Sequence, residues 1–294
     1  MAEYYGIKEG YPRMPLPQKV RAYIQLCRPF TLLAPLVAGI IGTLAPVKSI
    51  GLEEIKIAIY AGVTLALLQG SGQIINQYTD YMIDRETKPY RPIPKGLVDR
   101  EEALGIGMLL MWFGIMRGFW ISLTFGTICM LLAFMALYYS LSPFSPRRVN
   151  EFYNTTWLAL SRGLLPFIAV WSIYGNIVEG IPYAVIATLW VLAFQSTKDI
   201  VDVDADKKYG IKTIPSVYGV TGLMQWSSAI TVWLMIFIGF FDQLIFMPLV
   251  ALAIFNIFTM RKTSKKFENT LAWVGFYAGL SLIYIIVFIK EMLI

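Results

Sequence analysis

The chain contains no histidine and only two cysteines among its 294 residues. Without histidine, the Ser-His-Asp and Cys-His catalytic arrangements are excluded, as are histidine-ligated zinc, copper and iron sites. The two cysteines, Cys27 and Cys129, lie far apart in apolar stretches. They therefore indicate small buried side chains, and neither a disulfide framework nor a cysteine-rich metal site.

Charged residues are also scarce. They form 15% of the chain, hydrophobic residues form 57%, and the mean hydropathy is +0.60. A soluble domain has about a quarter of its residues charged, so this composition predicts a protein embedded in the lipid bilayer. The formal net charge of +6 is then expected to come from cationic loops on one side of a membrane, and no nucleic-acid partner is expected.

Long stretches without Asp, Glu, Lys or Arg predict where the chain crosses the bilayer. A spanning helix needs about 20 mostly apolar residues. Nine candidate stretches are present, over 29–47, 57–79, 103–116, 118–146, 163–178, 180–197, 213–241, 243–260 and 269–289. The predicted fold class is therefore an all-α polytopic membrane protein with nine transmembrane helices around a central cavity.

The basic residues predict the orientation in the membrane. With nine spans, 20 of the 25 lysines and arginines fall in the N-terminal segment and the even-numbered loops. By the positive-inside rule, the N-terminus is predicted to be cytoplasmic and the C-terminus outside, in a multi-pass protein of the cell membrane. The segment Met1–Pro17 is polar and rich in proline, so a cleavable secretory signal is not expected.

Two compact clusters of polar and acidic residues follow the second and sixth predicted spans, at predicted cytoplasmic helix ends. The spacing is i, i+4, i+8 in the first cluster and i, i+3, i+7 in the second, so each set shares one helical face. Asp204 is out of this register and is expected to point elsewhere. The members are Asn76, Asp80 and Asp84 in the first cluster, and Asp199, Asp202 and Asp206 in the second.

Facing carboxylates repel one another unless a cation lies between them. Carboxylate oxygens without His or Cys favour a hard ion, Mg²⁺ first, whose coordination is usually completed by substrate phosphates. Nearby lysines and arginines suit a diphosphate, whereas the absence of a Gly-rich phosphate loop disfavours a nucleotide. A diphosphate attached to a hydrophobic group fits, because its tail can enter the helix bundle. The alternative is that these are solvated loop acids that balance nearby lysines.

The chain also contains a faint internal repeat. Asp84–Arg85 is followed by Arg91–Pro94, and Asp206–Lys207 is followed by Lys212–Pro215. Each half thus has a helix, an acidic face, a basic loop and a proline stop. We predict one domain over residues 1–294 with two pseudo-repeated halves, about 18–145 and 150–293, and a site at their interface.

These motifs resemble those of the UbiA superfamily of intramembrane prenyltransferases. Asn76–Gly96 is similar to the first Asp-rich motif of that family, N-D-x-x-D-x-x-x-D with a K-P-x-R-P-I-P-x-G tail. Lys198–Pro215 is similar to the second motif, K-D-I-x-D-V-E-G-D…G-x-K-T-x-P. Arg28–Pro29 and Tyr139–Ser140 also match recurring family features. The likeness extends over nearly the whole chain.

The sequence departs from the family pattern at two places. Gln77 replaces the usual Asp after Asn76, and Asp204–Ala205 replaces Glu-Gly. The Asn-Gln pair is similar to homogentisate prenyltransferases, K-D-I-x-D-V to archaeal digeranylgeranylglyceryl phosphate synthases, and K-P-Y-R-P-I-P to chlorophyll synthases. The acceptor therefore stays open among a glyceryl-phosphate ether-lipid precursor, an aromatic quinone precursor and a tetrapyrrole. Gln77 points about 100° away from Asn76 on a helix, so its replacement need not remove a metal ligand.

The resemblance implies a Mg²⁺-dependent prenyltransferase that moves a polyprenyl group from a polyprenyl diphosphate to a lipophilic acceptor, by ionisation of the allylic diphosphate. It implies two Mg²⁺ ions, one at each acidic cluster, with the diphosphate between them. The six cluster residues are both the predicted metal ligands and the predicted catalytic residues, and no protein partner is implied. The predicted diphosphate-binding residues are Arg28, Lys88, Arg91, Tyr139, Arg147 and Lys198.

Three alternatives stay open. A Mg²⁺ or cation transporter would place acids at mid-membrane or along a pore, whereas the acids of the predicted outer face are few and scattered. Arg28 is either a phosphate-binding residue or an interfacial anchor. Arg162, within the fifth predicted span, either faces a polar cavity or extends toward the cytoplasmic surface.

Overall fold

The structure, a computed structural model, describes residues 15–241, 243–260 and 271–293. Every regular element within these residues is a helix. Short 3-10 helices cover Pro29–Leu32, Gln195–Asp202 and Leu244–Phe246, and a π-helical turn covers Leu160–Leu164. The α-helices are α1 Leu16–Leu26, α2 Leu33–Leu44, α3 Leu52–Thr79, α4 Tyr81–Thr87, α5 Arg100–Ile121, α6 Leu123–Leu141, α7 Pro146–Val149, α8 Glu151–Ala159, α9 Leu165–Trp171, α10 Ile177–Phe194, α11 Val203–Lys208, α12 Ile214–Phe240, α13 Met247–Met260 and α14 Leu271–Leu293.

Within the described residues, six helical segments are long and apolar enough to cross a membrane. A seventh crossing is added if the bent pair Leu16–Leu26 and Pro29–Leu44, at an angle of 51°, forms one span. The predicted all-α polytopic membrane protein is confirmed, but the nine predicted spans are reproduced only as six or seven. The six segments are Leu52–Thr79, Arg100–Ile121, Leu123–Val149, Ile177–Lys208, Ile214–Phe240 and Leu271–Leu293.

The difference has local causes. The predicted span 163–178 belongs to a helical stretch that the π turn divides into α8 and α9. The predicted span 243–260 corresponds to the shorter apolar helix Leu244–Met260. The helix that corresponds to the predicted span 103–116 is longer than that span, because α5 begins in the charged segment at Arg100 and ends at Ile121. There the Glu102 side chain accepts a hydrogen bond from the backbone N–H of the N-cap Asp99 at 3.4 Å.

The first half is built around α3, which packs against both α2 and α5. Helices α2 and α3 cross at two glycines, and a Cβ atom placed on Gly39 would lie only 2.2 Å from the Cα atom of Gly62. Small residues are typical of such crossings in membranes, because they let two backbones approach and gain packing energy. This contact fixes α3, whose last turn carries Asn76, the first member of the first acidic cluster.

The second half is built around α10, which packs against α12 and α14. Trp190 of α10 is fully buried, and its indole N–H donates to the Phe276 carbonyl oxygen of α14 at 2.9 Å. The buried indole stabilises the packing of the two helices through its apolar area, and its single N–H donor is not left without a hydrogen bond. The contact fixes the C-terminal end of α10, from which the second acidic cluster continues.

Some basic residues of the orientation argument lie outside the described residues. They are Lys8, Arg13, Arg261, Lys262, Lys265 and Lys266.

Candidate active site

The predicted site residues lie on the wall of one cavity, here called the polar cavity, with a volume of about 80 Å³. Both acidic clusters and all the predicted diphosphate-binding residues contribute to this wall. The twelve residues are Arg28, Asn76, Asp80, Asp84, Lys88, Arg91, Tyr139, Arg147, Lys198, Asp199, Asp202 and Asp206. The roles assigned to them stay predictions.

The first cluster lies across a junction between two helices. Helix α3 ends at Thr79, Asp80 has φ −90° and ψ 13°, and α4 begins at Tyr81. The predicted register nevertheless continues through the junction. The Asp80 N–H donates to the Asn76 carbonyl oxygen at 2.9 Å, and the Asp84 N–H donates to the Asp80 carbonyl oxygen at 2.8 Å. The i, i+4, i+8 spacing therefore places all three side chains on the same cavity wall.

The second cluster departs from the predicted α-helical register. Asp199 and Asp202 lie in the 3-10 helix Gln195–Asp202, and Asp206 lies in α11. A 3-10 helix has three residues per turn, so Asp199 and Asp202 point in the same direction. Asp204 is exposed and does not contribute to the cavity wall. The assumption of one continuous α-helix is wrong, whereas the placement of these four side chains agrees with the spacing argument.

Two arginines bind acids of the first cluster through pairs of hydrogen bonds. The Arg147 guanidinium donates to the two carboxylate oxygens of Asp80 at 2.6 and 2.7 Å. The Arg91 guanidinium donates to those of Asp84 at 2.7 and 2.8 Å. Such two-point pairs are the strongest ionic contacts in proteins, and their planar geometry orients both partners. The arginines therefore position the acids on the wall.

Lysines connect the two clusters. The Lys88 ammonium, from the loop after α4, donates to an Asp202 carboxylate oxygen at 2.6 Å. Lys198 lies 3.3 Å from its neighbour Asp199. Outside the cavity, Lys208 lies 2.6 Å from Glu86, and the Tyr209 hydroxyl donates to the same carboxylate at 3.1 Å. The segments after α3 and α10 are thus joined to each other both on the cavity wall and at the surface.

The first-cluster acids experience different electrostatic environments. Burial opposes ionisation of Asp80, but the charge and hydrogen bonds of Arg147, together with the charges of Arg91 and Lys88, outweigh it and hold the pKa of Asp80 below its usual value. Burial dominates at Asp84 and raises its pKa, although the nearby charges of Arg91 and Lys88 act in the opposite direction. Asp80 is therefore a fixed negative charge, whereas Asp84 takes up a proton more readily than an exposed aspartate.

The donor set fits a hard cation, although the acids are held apart. Among the described residues, no three acidic or cysteine side chains converge closely enough to hold a metal ion. However, one carboxylate oxygen of Asp199 and the amide nitrogen of Asn76 are buried without a hydrogen-bond partner. Buried polar atoms normally have partners, so these two indicate where a bound group would complete the wall. Oxygen ligands without His or Cys suit Mg²⁺.

A second cavity continues the first toward the middle of the bundle and is here called the apolar cavity. Its volume is about 170 Å³, and no Asp or Glu of the described chain contributes to its wall. Side chains such as Leu65, Leu68, Phe276 and Leu280 form much of that wall. The residues that border both cavities are Arg28, Asn76, Tyr139, Lys198 and Trp273. The pair of cavities therefore fits a ligand with an anionic head and an apolar tail.

Arg28 reaches this border through an unusual backbone conformation. Its φ of 53° is the one positive φ of a non-glycine residue among those described. The following Pro29 disfavours the right-handed helical conformation at position 28, so α1 ends here. The left-handed conformation costs a residue other than glycine about 1–2 kcal/mol. Here it occurs at the residue whose side chain contributes to the walls of both cavities. Of the two open interpretations of Arg28, this placement favours the phosphate-binding one.

Sequence reasoning missed four residues of the polar cavity wall, the aliphatic Ile83 and Ile211 together with Thr213 and Trp273. Thr213, which also caps α12, donates its hydroxyl to Asp206 at 3.2 Å. Its place in the Lys-Thr pair of the second motif was the available signal. Trp273 of α14 has no motif around it and could not have been found. Gln77 is buried and donates to the Leu26 carbonyl oxygen at 2.7 Å, away from the polar cavity.

An all-α membrane bundle with an acid-rich polar cavity that opens into an apolar one is the architecture of a membrane-embedded enzyme for an amphipathic, negatively charged substrate. Residues 31–287 match the model of the UbiA prenyltransferase family. The chain belongs to this family. The predicted resemblance is thereby confirmed, together with the prediction that the protein is a prenyltransferase.

Comparison with individual proteins supports the assignment to this family. The chain is 32% identical over 202 residues to a digeranylgeranylglyceryl phosphate synthase of Thermococcus gammatolerans, covering 68% of this chain and 70% of that one. It is 28% identical over 208 residues to the bacteriochlorophyll synthase 33 kDa chain of Rhodobacter capsulatus, covering 68% and 67%. A solved UbiA homologue from Archaeoglobus fulgidus, bound to GPP and Mg²⁺, has the same fold, with a TM-score of 0.73, 18% identity and coverage of 93% and 100%.

Proposed function

We propose that this prenyltransferase moves an allylic prenyl group from a prenyl diphosphate to a lipophilic acceptor that enters from the bilayer. The observation that carries the proposal is the pair of contiguous cavities. One wall carries both acidic clusters and six predicted diphosphate-binding residues, and the other is largely apolar. A diphosphate in the polar cavity and its isoprenoid tail in the apolar cavity would each meet matching chemistry.

The acidic clusters would hold Mg²⁺. When bound there, Mg²⁺ supplies positive charge that stabilises the leaving diphosphate. The existing ion pairs suit a change of partners on metal binding, because Lys88, Arg91 and Arg147 each neutralise an acid of the clusters in this structure. If the acids turn to the metal, the three cations are released to phosphate oxygens, so no buried charge is left uncompensated.

The chain's own residues then act on the reacting atoms. The allylic C1–O bond breaks, and its electron pair leaves with the diphosphate toward Lys88, Arg91 and Arg147. The resulting carbocation lies where the cavities meet, beside the rings of Tyr139 and Trp273, whose faces favour a nearby cation. The acceptor attacks C1 from the apolar cavity and gives up its proton to the released diphosphate, so the products are the prenylated acceptor and protonated diphosphate.

We propose nine crossings with the polar cavity at the cytoplasmic end. To the seven candidates we add the stretch Glu151–Trp171, helical throughout, and the shorter apolar helix Leu244–Met260. The supporting observation is the charge distribution, since 20 of the 25 basic residues fall on one side with this count. With nine crossings and this charge distribution, the N-terminus would be cytoplasmic and the C-terminus external. We also propose that two related halves, about 18–145 and 150–293, meet at the site.

The transporter alternative is disfavoured by the wall of the apolar cavity. An ion pathway through the bundle needs polar or acidic groups along its length. In the described part of the chain, the carboxylates of the motifs line only the polar cavity, at one end. A bound cation would therefore meet a wall that has no carboxylate of a described residue and carries Arg28, Arg162 and Lys198, in place of a second set of ligands.

A product assay tests the proposed function. Purified protein is incubated with Mg²⁺ and geranyl, farnesyl or geranylgeranyl diphosphate against three acceptors, a glyceryl-phosphate ether lipid, a hydroxylated aromatic acid and a tetrapyrrole. Mass spectrometry should find one acceptor increased by the mass of the prenyl group, and Asp80→Ala protein should give none. Absence of any prenylated product, combined with Mg²⁺ flux into proteoliposomes, would favour the transporter.

A further inference from the structure

Arg162 is a cation inside the bundle that the proposed reaction does not use. It lies in the π-helical turn Leu160–Leu164, between α8 and α9. It contributes to the wall of the apolar cavity and not to that of the polar cavity. A π turn inserts one extra residue into a helix and redirects the side chains around it, and such turns are frequent at functional sites.

Arg162 has no partner among the described residues, whereas another arginine within a membrane segment does. The Arg117 guanidinium donates to the Thr64 hydroxyl and to the Tyr60 carbonyl oxygen, both at 3.2 Å. It also lies over the Tyr60 ring, 3.5 Å from the ring centroid. No described residue forms a hydrogen bond or ion pair with Arg162. A charged residue in a membrane normally faces a partner, so an unpartnered guanidinium on a cavity wall points to a ligand.

The charge of the surrounding wall specifies the ligand. Three cations contribute to the apolar cavity wall, Arg28, Arg162 and Lys198. No carboxylate of the described chain contributes to that wall. Arg28 and Lys198 also border the polar cavity, where the donor diphosphate would lie. Only Arg162 of the three is confined to the cavity through which the acceptor approaches.

We propose that Arg162 binds an oxyanion of the acceptor, a carboxylate or a phosphate, and so determines which acceptors are used. The inference rests on the proposed prenyl transfer. The guanidinium is a planar fork that matches either group through two hydrogen bonds. With its anionic group on Arg162, an acceptor is oriented from within the apolar cavity, so its nucleophile is directed toward the border with the polar cavity.

The test is equilibrium binding to purified protein in zwitterionic nanodiscs, with empty nanodiscs as background. Two probe pairs are used, hexadecyl phosphate with hexadecanol, and 4-hexyloxybenzoate with its methyl ester. The wild-type protein should prefer the anionic member of at least one pair, and the preferred pair identifies phosphate or carboxylate. Arg162→Gln should lose about tenfold or more of that preference, Arg162→Lys should keep most of it, and the matched control Arg117→Gln should leave it unchanged. A wild-type protein without anion preference, or an Arg162→Gln protein with the wild-type preference, would overturn the inference.

Kinetics with the acceptor found by the product assay separate this inference from the proposed function. Arg162→Gln should raise the acceptor KM and leave the KM for the prenyl diphosphate unchanged. If the acceptor KM is also unchanged, the inference fails while prenyl transfer stands. If the wild-type protein forms no prenylated product, the proposed function fails, and the binding result still reports on Arg162 because it needs no turnover.

Discussion

Two aspartates of the segment after α10, one inside the second cluster and one outside it, provide a matched comparison of cavity-facing and solvent-facing carboxylates. Asp202 lies on the polar cavity wall, where it accepts a hydrogen bond from Lys88 at 2.6 Å. Asp204, two residues further along the chain, is exposed and away from that wall. Replacing each with alanine removes the same charge and a similar volume from the same segment. We expect Asp202→Ala to abolish measurable transfer and Asp204→Ala to remain active.

The magnitude follows from what each carboxylate does. Removing one preorganised group that stabilises developing charge typically lowers kcat about 10²- to 10³-fold, equivalent to about 2.7–4 kcal/mol. Asp202→Ala also leaves the buried Lys88 ammonium without this partner, so a loss at the upper end of this range is expected. Asp204→Ala changes only a surface group, whose effect is usually within about 0.5 kcal/mol, or roughly twofold in rate.

The assay is the initial rate of prenylated product formation at saturating Mg²⁺, measured by mass spectrometry on detergent-purified protein. Size-exclusion profiles and melting temperatures control for misfolding, and Asp202→Asn separates loss of charge from loss of size. Equal loss of activity in the Asp202 and Asp204 variants would refute the placement of the second cluster. Near-normal turnover of Asp202→Ala would refute its role in holding Mg²⁺.

Three further predictions concern stability and packing. Arg147→Leu should lower the free energy of unfolding by about 3–5 kcal/mol, because Asp80 is left as an unpaired buried charge, and the double variant Arg147→Leu with Asp80→Leu should recover part of the loss. Lys208→Ala breaks an exposed ion pair and should leave the melting temperature unchanged, with a clear decrease contradicting the surface assignment. Gly39→Leu should prevent the close approach to Gly62 and abolish monodisperse protein, whereas Gly39→Ala should retain a fraction.

Much of the polar cavity was predictable because side-chain chemistry and spacing agree there. Asn76, Asp80 and Asp84 share a face through a helix junction, since the backbone hydrogen bonds continue across Asp80. Acids of both motifs lie on one wall, as the faint repeat suggested. The long apolar stretches similarly predicted an all-α membrane fold, because a bilayer admits helices whose backbone groups are internally satisfied.

The remaining features depend on contacts that spacing does not specify. The 3-10 helix that carries Asp199 and Asp202 satisfies the i, i+3 pattern as well as an α-helix does, so the sequence could not distinguish them. The pairing of Arg147 with Asp80 joins residues 67 positions apart. Trp273 reaches the site only because α14 packs beside α2 and α10. These are tertiary contacts, and a single sequence does not encode them as a readable pattern.

The most direct test of the account is the stoichiometry of the reaction catalysed by the purified protein. Prenylated product and free inorganic diphosphate are measured in the same sample over a Mg²⁺ titration, with a chelator as the starting point. The account predicts that neither forms without the metal and that, once Mg²⁺ is added, the two appear together in equal amounts. Product formation that persists in the chelator, or Mg²⁺ binding without release of diphosphate from any prenyl donor, would contradict it.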